Sequence, residues 1–181
     1  PKLDNGRNTI AGFATGETPY SSYTEEIKAS YQKYHDAAIV VFSRIGGESY
    51  DLPRTMKDTE GALNEKDHYL ELDKNEQELL VNVCNAFDKV VVVINSSTQM
   101  ELGFLDEIND NDDTLVPSME NIHDKIQACV WIGGPGYSGI FALGRILNGE
   151  VTPSGRTVDT YQRDFTKDPT YQNFADNLVN N

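Results

Sequence analysis

Three short apolar segments, separated by longer amphipathic or polar stretches, dominate the hydrophobic pattern of this chain. They are Ala37–Ser43, Lys89–Ile94 and Ile126–Ile132, and their length and their content of Val and Ile are typical of buried strands. The second segment carries four consecutive valines, Val90–Val93. Such a run predicts burial on both faces, as in a parallel sheet.

Apolar residues at helical spacing lie around these strands. Thr24 is suited to cap a helix that continues to Tyr34, and the later patterns predict helices over Glu76–Phe87, over Met100–Ile108, and from Ser138 until Gly149 ends the last one. Alternating strands and helices predict an α/β fold: a three-layer sandwich with a mainly parallel sheet and helices on both faces.

Length and periodicity set the expected domain limits. A chain of 181 residues suits one domain with a sizeable core. Residues 1–20 lack periodicity and are expected to be a linker or lead-in, residues 21–174 to form the domain, and residues 175–181 to be a polar tail. The abrupt start at Pro1 and the polar end lead us to interpret the chain as part of a longer protein.

The net charge of -14 narrows the classes of partner. Nucleic-acid phosphates and anionic membranes would be repelled, so neither is expected, and no apolar run approaches a membrane span. Cys84 and Cys129 are predicted to be buried thiols. The three histidines are scattered without ligand spacing, so no metal and no cofactor are expected. The cellular compartment stays open.

Ligands of parallel α/β sheets gather at the carboxyl ends of the strands. Three polar segments are expected to converge there, namely residues 43–54, 95–101 and 133–138. In the first, Glu48 stands just beyond a strand end between small residues, so its carboxyl group can reach outward. A carboxyl group placed in this way suits a general acid/base if its surroundings raise its pKa. The alternative is an ordinary, solvated loop glutamate.

Other polar side chains near the strand ends have two interpretations each. Arg54 is suited to hydrogen-bond a ligand hydroxyl group, although pairing with Asp51 is the simpler prediction. Ser96 and Glu101, together with Asn95, are placed to line a domain interface, whereas capping the following helix is the simpler role for the serines.

The glycine-rich turn Gly133–Gly139 suggests close approach of another group to the backbone. Its letters fit the dinucleotide fingerprint Gly-x-Gly-x-x-Gly, but no second parallel strand follows and the chain has no Gly-Lys-Ser/Thr phosphate loop. A flavodoxin-like nucleotide-binding module is therefore the less favoured alternative.

Three segments taken together resemble the C-terminal α/β-sandwich domain of family-three glycoside hydrolases, the β-glucosidase type. They are Ala38–Asp51, Val91–Gly103 and Gly134–Arg156, in the family's order and with plausible spacing. The match runs from about Ser21 to Phe174, which is nearly the whole chain.

The resemblance implies a division of labour with a (β/α)₈ barrel that precedes or follows this domain. The barrel supplies the nucleophilic aspartate and most sugar-binding residues, while the sandwich domain covers the cleft and often supplies the acid/base glutamate. Family members commonly read Ser-Gly-Glu-Gly-x-Asp in the loop after the first core strand, and this chain reads Gly46-Gly-Glu-Ser-Tyr-Asp51. Glu48 falls on the catalytic glutamate and Asp51 on the recurrent aspartate, while Ser49 departs from the usual glycine. With this resemblance, Asp51 and Arg54 are the residues expected to bind the sugar substrate.

The implied activity is retaining hydrolysis of terminal β-linked sugars, with a carbohydrate substrate and the barrel as partners. The chain has one set of strand–helix units where a barrel needs eight, so it is expected to be inactive alone. A non-catalytic interaction or scaffold domain with an inert Glu48 is the alternative from another class.

Three packing expectations complete the sequence analysis. Trp131, inside an apolar strand, is expected to pack in the core rather than to stack on a sugar. The loop over residues 44–73 is expected to be mobile or poorly packed without its barrel. Tyr161 and the stretch Asp164–Phe174 are expected to form an extended exit from the domain.

Overall fold

A parallel three-stranded sheet forms the centre of the fold. The computed structural model describes residues 17–44, 52, 54–56, 66–106, 119 and 122–171. Strands β1 (Ala38–Arg44), β2 (Val90–Ser96) and β3 (Ile126–Trp131) pair in the order β1-β2-β3, both pairs parallel. The three strands expected from the apolar segments are thereby confirmed as neighbours in one parallel sheet.

The register places apolar residues side by side on each face of the sheet. Val40 lies beside Val92 and Phe42 beside Ile94, and Val92 in turn lies beside Cys129. A register shift between Val90 and Val91 accommodates the pairing with β3. Because side chains alternate along a strand, residues 40, 42, 92 and 94 share one face.

Within the described residues, three α-helices accompany the sheet, and their bounds differ slightly from the predicted ones. Helix α1 (Glu25–Ser30) is capped by Thr24, whose hydroxyl accepts a hydrogen bond from the Ile27 amide at 3.3 Å, but it ends four residues before Tyr34. Helix α2 (Lys74–Ala86) and helix α3 (Gly136–Leu147) both begin two residues before the predicted position.

The earlier start of α2 has a local cause. The Asp73 carboxylate accepts a hydrogen bond from the Glu76 amide at 2.8 Å, and the Glu76 carboxylate accepts one from the Asp73 amide at 2.9 Å. This reciprocal capping box satisfies two backbone donors that have no partner inside the helix.

The helix predicted over Met100–Ile108 is wrong for its described part. Residues 100–106 contain a single 3₁₀ turn, Gly103–Leu105, and the rest of the predicted span lies outside the described residues. Further 3₁₀ turns lie at Tyr20–Ser22, His123–Lys125 and Phe165–Lys167.

One face of the sheet forms the main core with α2. Val40, Phe42, Val92 and Ile94 pack with α2 residues such as Leu80 in a single buried cluster. On the other face, Ile39 and Val41 of the edge strand β1 are 52% and 49% exposed. The sheet and its helices confirm the predicted α/β sandwich, but none of the residues of α3 is buried. Helix α3 therefore does not contribute to the core as α2 does.

The described part of the 44–73 loop is well packed, contrary to expectation. Met56 and Tyr69 are almost completely buried, as are Leu72 and Asp73. The physical reason is a set of hydrogen bonds from Arg44 to this part of the loop, described below. Residues 45–51, 53 and 57–65 lie outside the described residues.

Candidate functional site

The ends of all three strands meet at one edge of the sheet, as expected for a parallel arrangement. Arg44 pairs with Ser96 in the register of β1 and β2, and the Trp131 indole nitrogen donates a hydrogen bond to the Ser96 carbonyl at 2.7 Å. The segments that follow the strands therefore start from neighbouring points on this edge.

The side chains proposed from sequence are only partly within the described structure. Glu48 and Asp51 lie outside the described residues, so their positions and any pairing of Asp51 with Arg54 stay predictions. Arg54 is described: its guanidinium carbon lies 5.7 Å from the centroid of the Tyr171 ring, a cation–π distance.

One end of the loop that carries Glu48 is fixed by Arg44, the last residue of β1. Its guanidinium donates to both carboxylate oxygens of Glu76, at 2.8 and 2.9 Å, and to the Tyr69 carbonyl at 2.8 Å. It also donates to the carbonyls of Ser43, at 2.9 Å, and of Glu71. A charged group that is almost fully buried is thus paired and surrounded by acceptors.

The other end of the same loop is fixed to the same part of the chain. The Met56 amide donates to the Asp67 carbonyl at 2.8 Å, and the Tyr69 amide donates to the Arg54 carbonyl at 3.3 Å. Thr55 and His68 form an antiparallel bridge between these bonds. Residues 67–71 therefore hold the chain on both sides of Glu48.

A half-open cavity of about 330 Å³ lies beside these anchors. Residues from three parts of the chain line it: the loop after β1, the turn after β2, and residues 160–171, which we call the return segment. The lining residues are Leu52, His68, Leu70, Thr98, Gln99, Thr160, Gln162, Phe165, Asp168, Thr170 and Tyr171.

His68 is the aromatic centre of this region. Its ring stacks on Phe165 with centroids 5.2 Å apart and packs at a tilt on Tyr171, also at 5.2 Å. Its Nδ1 accepts a hydrogen bond from the Leu70 amide at 3.0 Å. Burial, and then the nearby charges of Arg54 and Arg44, lower the pKa of His68 to about 4. The imidazole is therefore neutral at neutral pH.

The return segment corrects the expectation of an extended exit. Its Phe165 amide donates to the buried Glu101 carboxylate at 2.6 Å, and the Leu102 amide donates to the Gln162 carbonyl at 3.0 Å. The segment folds back over the strand ends because Phe165 and Tyr171 gain a packing partner in His68. Sequence reasoning missed this contact, for which the local signal was three aromatic residues, Tyr161, Phe165 and Tyr171, in a largely polar stretch.

Ser96 acts differently from its simpler prediction of capping a helix, and Glu101 contacts the return segment. Glu101 binds the return segment, while the Ser96 hydroxyl lies 3.1 Å from the Thr98 hydroxyl and accepts from the Thr98 amide at 3.2 Å. Ser96 thus stabilises the turn after β2 rather than the start of a helix.

Trp131 is also placed differently. The expectation of core packing is wrong, because Trp131 is 41% exposed at the end of β3, which is an outer strand of the sheet that the described residues form. Its indole nitrogen is tied to Ser96, so the ring is held at the carboxyl edge of the sheet.

The two cysteines lie in α2 and in β3. Cys84 is buried and Cys129 is half-buried. Neither forms a disulfide bond, and burial raises the pKa of each thiol to about 11.

In the glycine-rich turn after β3, Gly133 and Gly136 have φ values of 57° and 65°, which favour glycine. The turn they form lines neither the cavity above nor a second one beside Tyr23 and Val41.

Neither a metal-binding cluster nor a membrane-spanning helix is found among the described residues. They contain no cluster of three His, Cys, Asp or Glu side chains able to hold a metal ion. They also contain no helix with the length and apolar content needed to cross a membrane.

The parallel sheet, its helices and the cavity at the carboxyl edge define a parallel α/β-sandwich domain. The family model described as the glycosyl hydrolase family 3 C-terminal domain matches residues 8–180. The chain belongs to this family. The resemblance inferred from its three sequence segments is thereby confirmed.

Known relatives agree with this membership. The chain is 30% identical over 139 residues to a beta-glucosidase of Ruminococcus albus, covering 77% of this chain and 12% of that protein. It is 28% identical over 163 residues to beta-glucosidase A of Butyrivibrio fibrisolvens, covering 90% and 19% respectively.

A solved structure shows the same fold. The structure of a beta-glucosidase from Paenibacillus barengoltzii matches with a TM-score of 0.63 and 28% sequence identity, over 88% of this chain and 14% of that one. The chain thus spans less than a fifth of the length of each of these three relatives.

Proposed function

We propose that this chain is the α/β-sandwich part of a longer retaining β-glycosidase, in which it covers the active-site cleft and supplies Glu48 as the general acid/base. The observation that carries the proposal is the tethering of the chain on both sides of Glu48 to residues 67–71, at the carboxyl edge of a parallel sheet. Membership of the family and the named activity of the relatives support the reaction type.

The tether suits the task of an acid/base residue. Proton transfer in a transition state needs a carboxyl group held within hydrogen-bond reach of the leaving oxygen. Arg44 fixes the chain four residues before Glu48, and the Arg54 carbonyl fixes it six residues after. A short loop with both ends bonded to one segment loses little entropy when it is positioned against a substrate.

The reaction proceeds in two steps. An aspartate of the barrel attacks the anomeric carbon while Glu48 protonates the leaving oxygen; Glu48 then removes a proton from the water that hydrolyses the glycosyl intermediate. The two carboxyl groups must lie about 5–5.5 Å apart for this chemistry. The nucleophile comes from the barrel, so we propose that the 181-residue chain alone is inactive.

The contact with the barrel needs a surface, and the end of the sandwich around α3 supplies a candidate. Six of the nine large apolar side chains exposed among the described residues lie between Trp131 and Val158. Tyr137 and Phe141 of α3 are 94% and 73% exposed. Clustered apolar exposure of this kind marks an interaction site, whereas single exposed apolar residues are ordinary.

The substrate proposed is a carbohydrate with a terminal β-linked sugar, and no nucleic acid or membrane partner is proposed. The negative net charge of -14 is compatible with a neutral substrate.

The test is Glu48→Ala in the longer enzyme, compared with Glu101→Gln as a control at a buried carboxylate that binds the return segment. Loss of general acid/base assistance is worth about 10²–10⁴-fold, so hydrolysis of unactivated disaccharides should fall by that factor. Aryl glycosides with very acidic phenols should still react in the first step, because their leaving groups need no proton. Their second step should stall until azide is added, giving a glycosyl azide of retained configuration.

Two outcomes oppose the proposal. Unchanged rates of Glu48→Ala on unactivated disaccharides would make this domain a non-catalytic cover. An equal loss without azide rescue in Glu101→Gln and Glu48→Ala would assign both effects to folding rather than to proton transfer.

A further inference from the structure

The two ends of the loop that carries Glu48 are held unequally. At the first end, the buried Arg44 guanidinium donates hydrogen bonds to a carboxylate of α2 and to three backbone carbonyls. At the second end, the Arg54 carbonyl accepts a hydrogen bond from the Tyr69 amide at 3.3 Å, which is longer than the usual length of about 2.7–3.2 Å. The next backbone bond, from the Met56 amide, is short at 2.8 Å but lies two residues further from Glu48. The Arg54 end of the loop therefore depends on a further contact.

The Arg54 side chain has that contact in the return segment. Its guanidinium carbon lies 5.7 Å from the centroid of the Tyr171 ring, within the range of about 6 Å in which a cation is attracted to an aromatic face. The charge of Arg54 also opposes the rise that burial causes in the pKa of Tyr171. The same ring packs on His68, with centroids 5.2 Å apart. Tyr171 thus contacts the end of the loop and the strand-like segment beside it at the same time.

Tyr171 is itself held in place by the return segment. Its amide donates a hydrogen bond to the Asp168 carbonyl at 3.0 Å, and the Asp168 carboxylate accepts one from the Gln162 side chain, also at 3.0 Å. The Phe165 amide donates to Glu101 at 2.6 Å and so ties the segment to the turn after β2. A ring that is already ordered has little conformational entropy left to lose when it holds a cation.

We propose that Tyr171 is a positioning residue, whose ring holds Arg54 and thereby fixes the second end of the loop that carries Glu48. The part of this proposal that concerns catalysis rests on the proposed function. When the contact with Arg54 is lost, the first firm anchor after Glu48 moves to Met56, two residues further along the chain. A carboxyl group on a longer loop reaches the leaving oxygen in fewer of its conformations, and small misplacements lower rates strongly.

Hydrogen exchange of the 181-residue chain tests the anchor in the absence of any substrate. Tyr171→Leu removes the ring and should speed the exchange of the Tyr69 amide, the donor to Arg54, by about fivefold or more. Tyr34→Leu is the matched control, because the Tyr34 ring also carries a cation, the Lys33 Nζ at 5.0 Å, but is 66% exposed and precedes β1. This control should leave the exchange of the Tyr69 amide unchanged.

Arg54→Gln removes the same contact from its other side and keeps the Tyr171 ring on His68. It should speed the exchange of the Tyr69 amide by a similar factor, and its effect should not add to that of Tyr171→Leu in the double variant, because both changes remove one contact. Should Tyr171→Leu lose the spectrum of a folded sheet, Arg54→Gln decides the test of the anchor. Unchanged Tyr69 exchange in Arg54→Gln, or fully additive effects, would overturn the proposal.

Rates of the longer enzyme test the consequence for catalysis. Tyr171→Leu should lower kcat/KM for unactivated disaccharides by about five- to tenfold, the size of one cation–π contact. For aryl glycosides with very acidic phenols the fall should stay below about twofold, because their leaving groups need no proton. Tyr171→Phe keeps the ring and should restore most of the disaccharide rate, and Tyr34→Leu should lower neither rate. Equal losses on both substrate classes would indicate lost stability and overturn the positioning role.

This proposal and the acid/base role of Glu48 fail separately. Unchanged disaccharide rates of Glu48→Ala refute the acid/base role, and the exchange of the Tyr69 amide then still supports or overturns the anchor formed by Tyr171. A strongly impaired Glu48→Ala enzyme, combined with no selective effect of Tyr171→Leu on disaccharides, refutes the positioning role alone.

Discussion

Arg44 and Glu76 form a doubly hydrogen-bonded ion pair whose side chains are 0% and 3% exposed. The pair joins the end of β1 to the first turn of α2. The Glu76 carboxylate also accepts a hydrogen bond from the Asp73 amide in the capping box of this helix. Since Arg44 holds the Tyr69 and Glu71 carbonyls as well, one buried cation connects the sheet, the helix and the segment that tethers the Glu48 loop.

Glu76→Gln should therefore destabilise the chain strongly. The amide keeps one acceptor for the Asp73 amide but leaves the Arg44 charge without its counter-charge, and breaking a buried pair costs about 3–5 kcal/mol. Glu150→Gln is the matched control, because Glu150 pairs with Arg145 at 3.2 Å on the exposed surface, where such pairs contribute about 0–1 kcal/mol. Urea unfolding measures both free energies. Similar values for the two variants would contradict the structural role of the buried pair.

Gly103 is placed against the return segment. A Cβ at this position would lie 2.5 Å from the Arg163 carbonyl oxygen, so backbone would have to move. Gly103→Ala should cost roughly 1–3 kcal/mol and loosen residues 162–165. The measurement is thermal unfolding together with hydrogen exchange of the Phe165 amide, which is bonded to Glu101.

Gly144→Ala is the control for that substitution. Gly144 lies inside α3, and a Cβ there would meet nothing within 4 Å. Alanine should therefore stabilise the helix by about 0.5–1 kcal/mol. Faster exchange at Phe165 in Gly144→Ala, or none in Gly103→Ala, would oppose this account of the contact.

His68 should make the chain less stable in mild acid. Its pKa is about 4 when folded and about 6.5 when exposed, so above pH 6.5 both states are neutral and His68 has no effect. Between pH 6.5 and 4 the unfolded chain binds the proton and the folded chain does not, so the free energy of unfolding falls as the pH falls. The expected fall is roughly 2–3 kcal/mol, and it levels off below the folded pKa.

The measurement compares the pH dependence of unfolding in the native chain and in His68→Asn. Asparagine can still accept the Leu70 hydrogen bond but does not titrate, so the native chain should lose more stability than this variant over the same interval. His35→Asn, at an exposed position, is the control for the replacement of a histidine by asparagine. Parallel curves for the native chain and His68→Asn would show that His68 titrates alike in both states.

The sheet could be predicted from sequence because the valines of β2 pair with a strand on each side and must be buried on both faces. A run of consecutive valines indicates such burial directly. The first residue of α2 could also be predicted from sequence, because Asp73 and Glu76 have the spacing of a capping box. The predicted helix start at Glu76 did not use this signal. Both features are local, so one sequence is enough to specify them.

Apart from the helix expected over Met100–Ile108, which is a single 3₁₀ turn in its described part, the errors concern contacts between distant parts of the chain. His68 meets Phe165 almost a hundred residues later, and no local period marks that stacking. Trp131 was expected in the core because an apolar strand does not reveal whether it lies at the centre or the edge of a sheet. The position of Glu48 stays a prediction, since that residue lies outside the described part.

The exposed face of α3 leads to the last prediction, on docking in the longer enzyme. If this face contacts the barrel, the amides of residues 136–147 should exchange about tenfold or more slowly there than in the 181-residue chain. Phe141→Asp should remove that difference and lower kcat/KM, because full burial of a phenylalanine contributes about 1.5–3 kcal/mol and a buried unpaired carboxylate opposes contact. In the 181-residue chain the same change should alter stability by less than about 0.5 kcal/mol, since Phe141 is 73% exposed. Tyr34→Asp, at a residue 66% exposed after α1, is the matched control and should change neither the hydrogen exchange of α3 nor kcat/KM.

Equal hydrogen exchange of α3 in the 181-residue chain and in the longer enzyme would place the docking surface elsewhere. The exposed apolar side chains of α3 would then not contact the barrel.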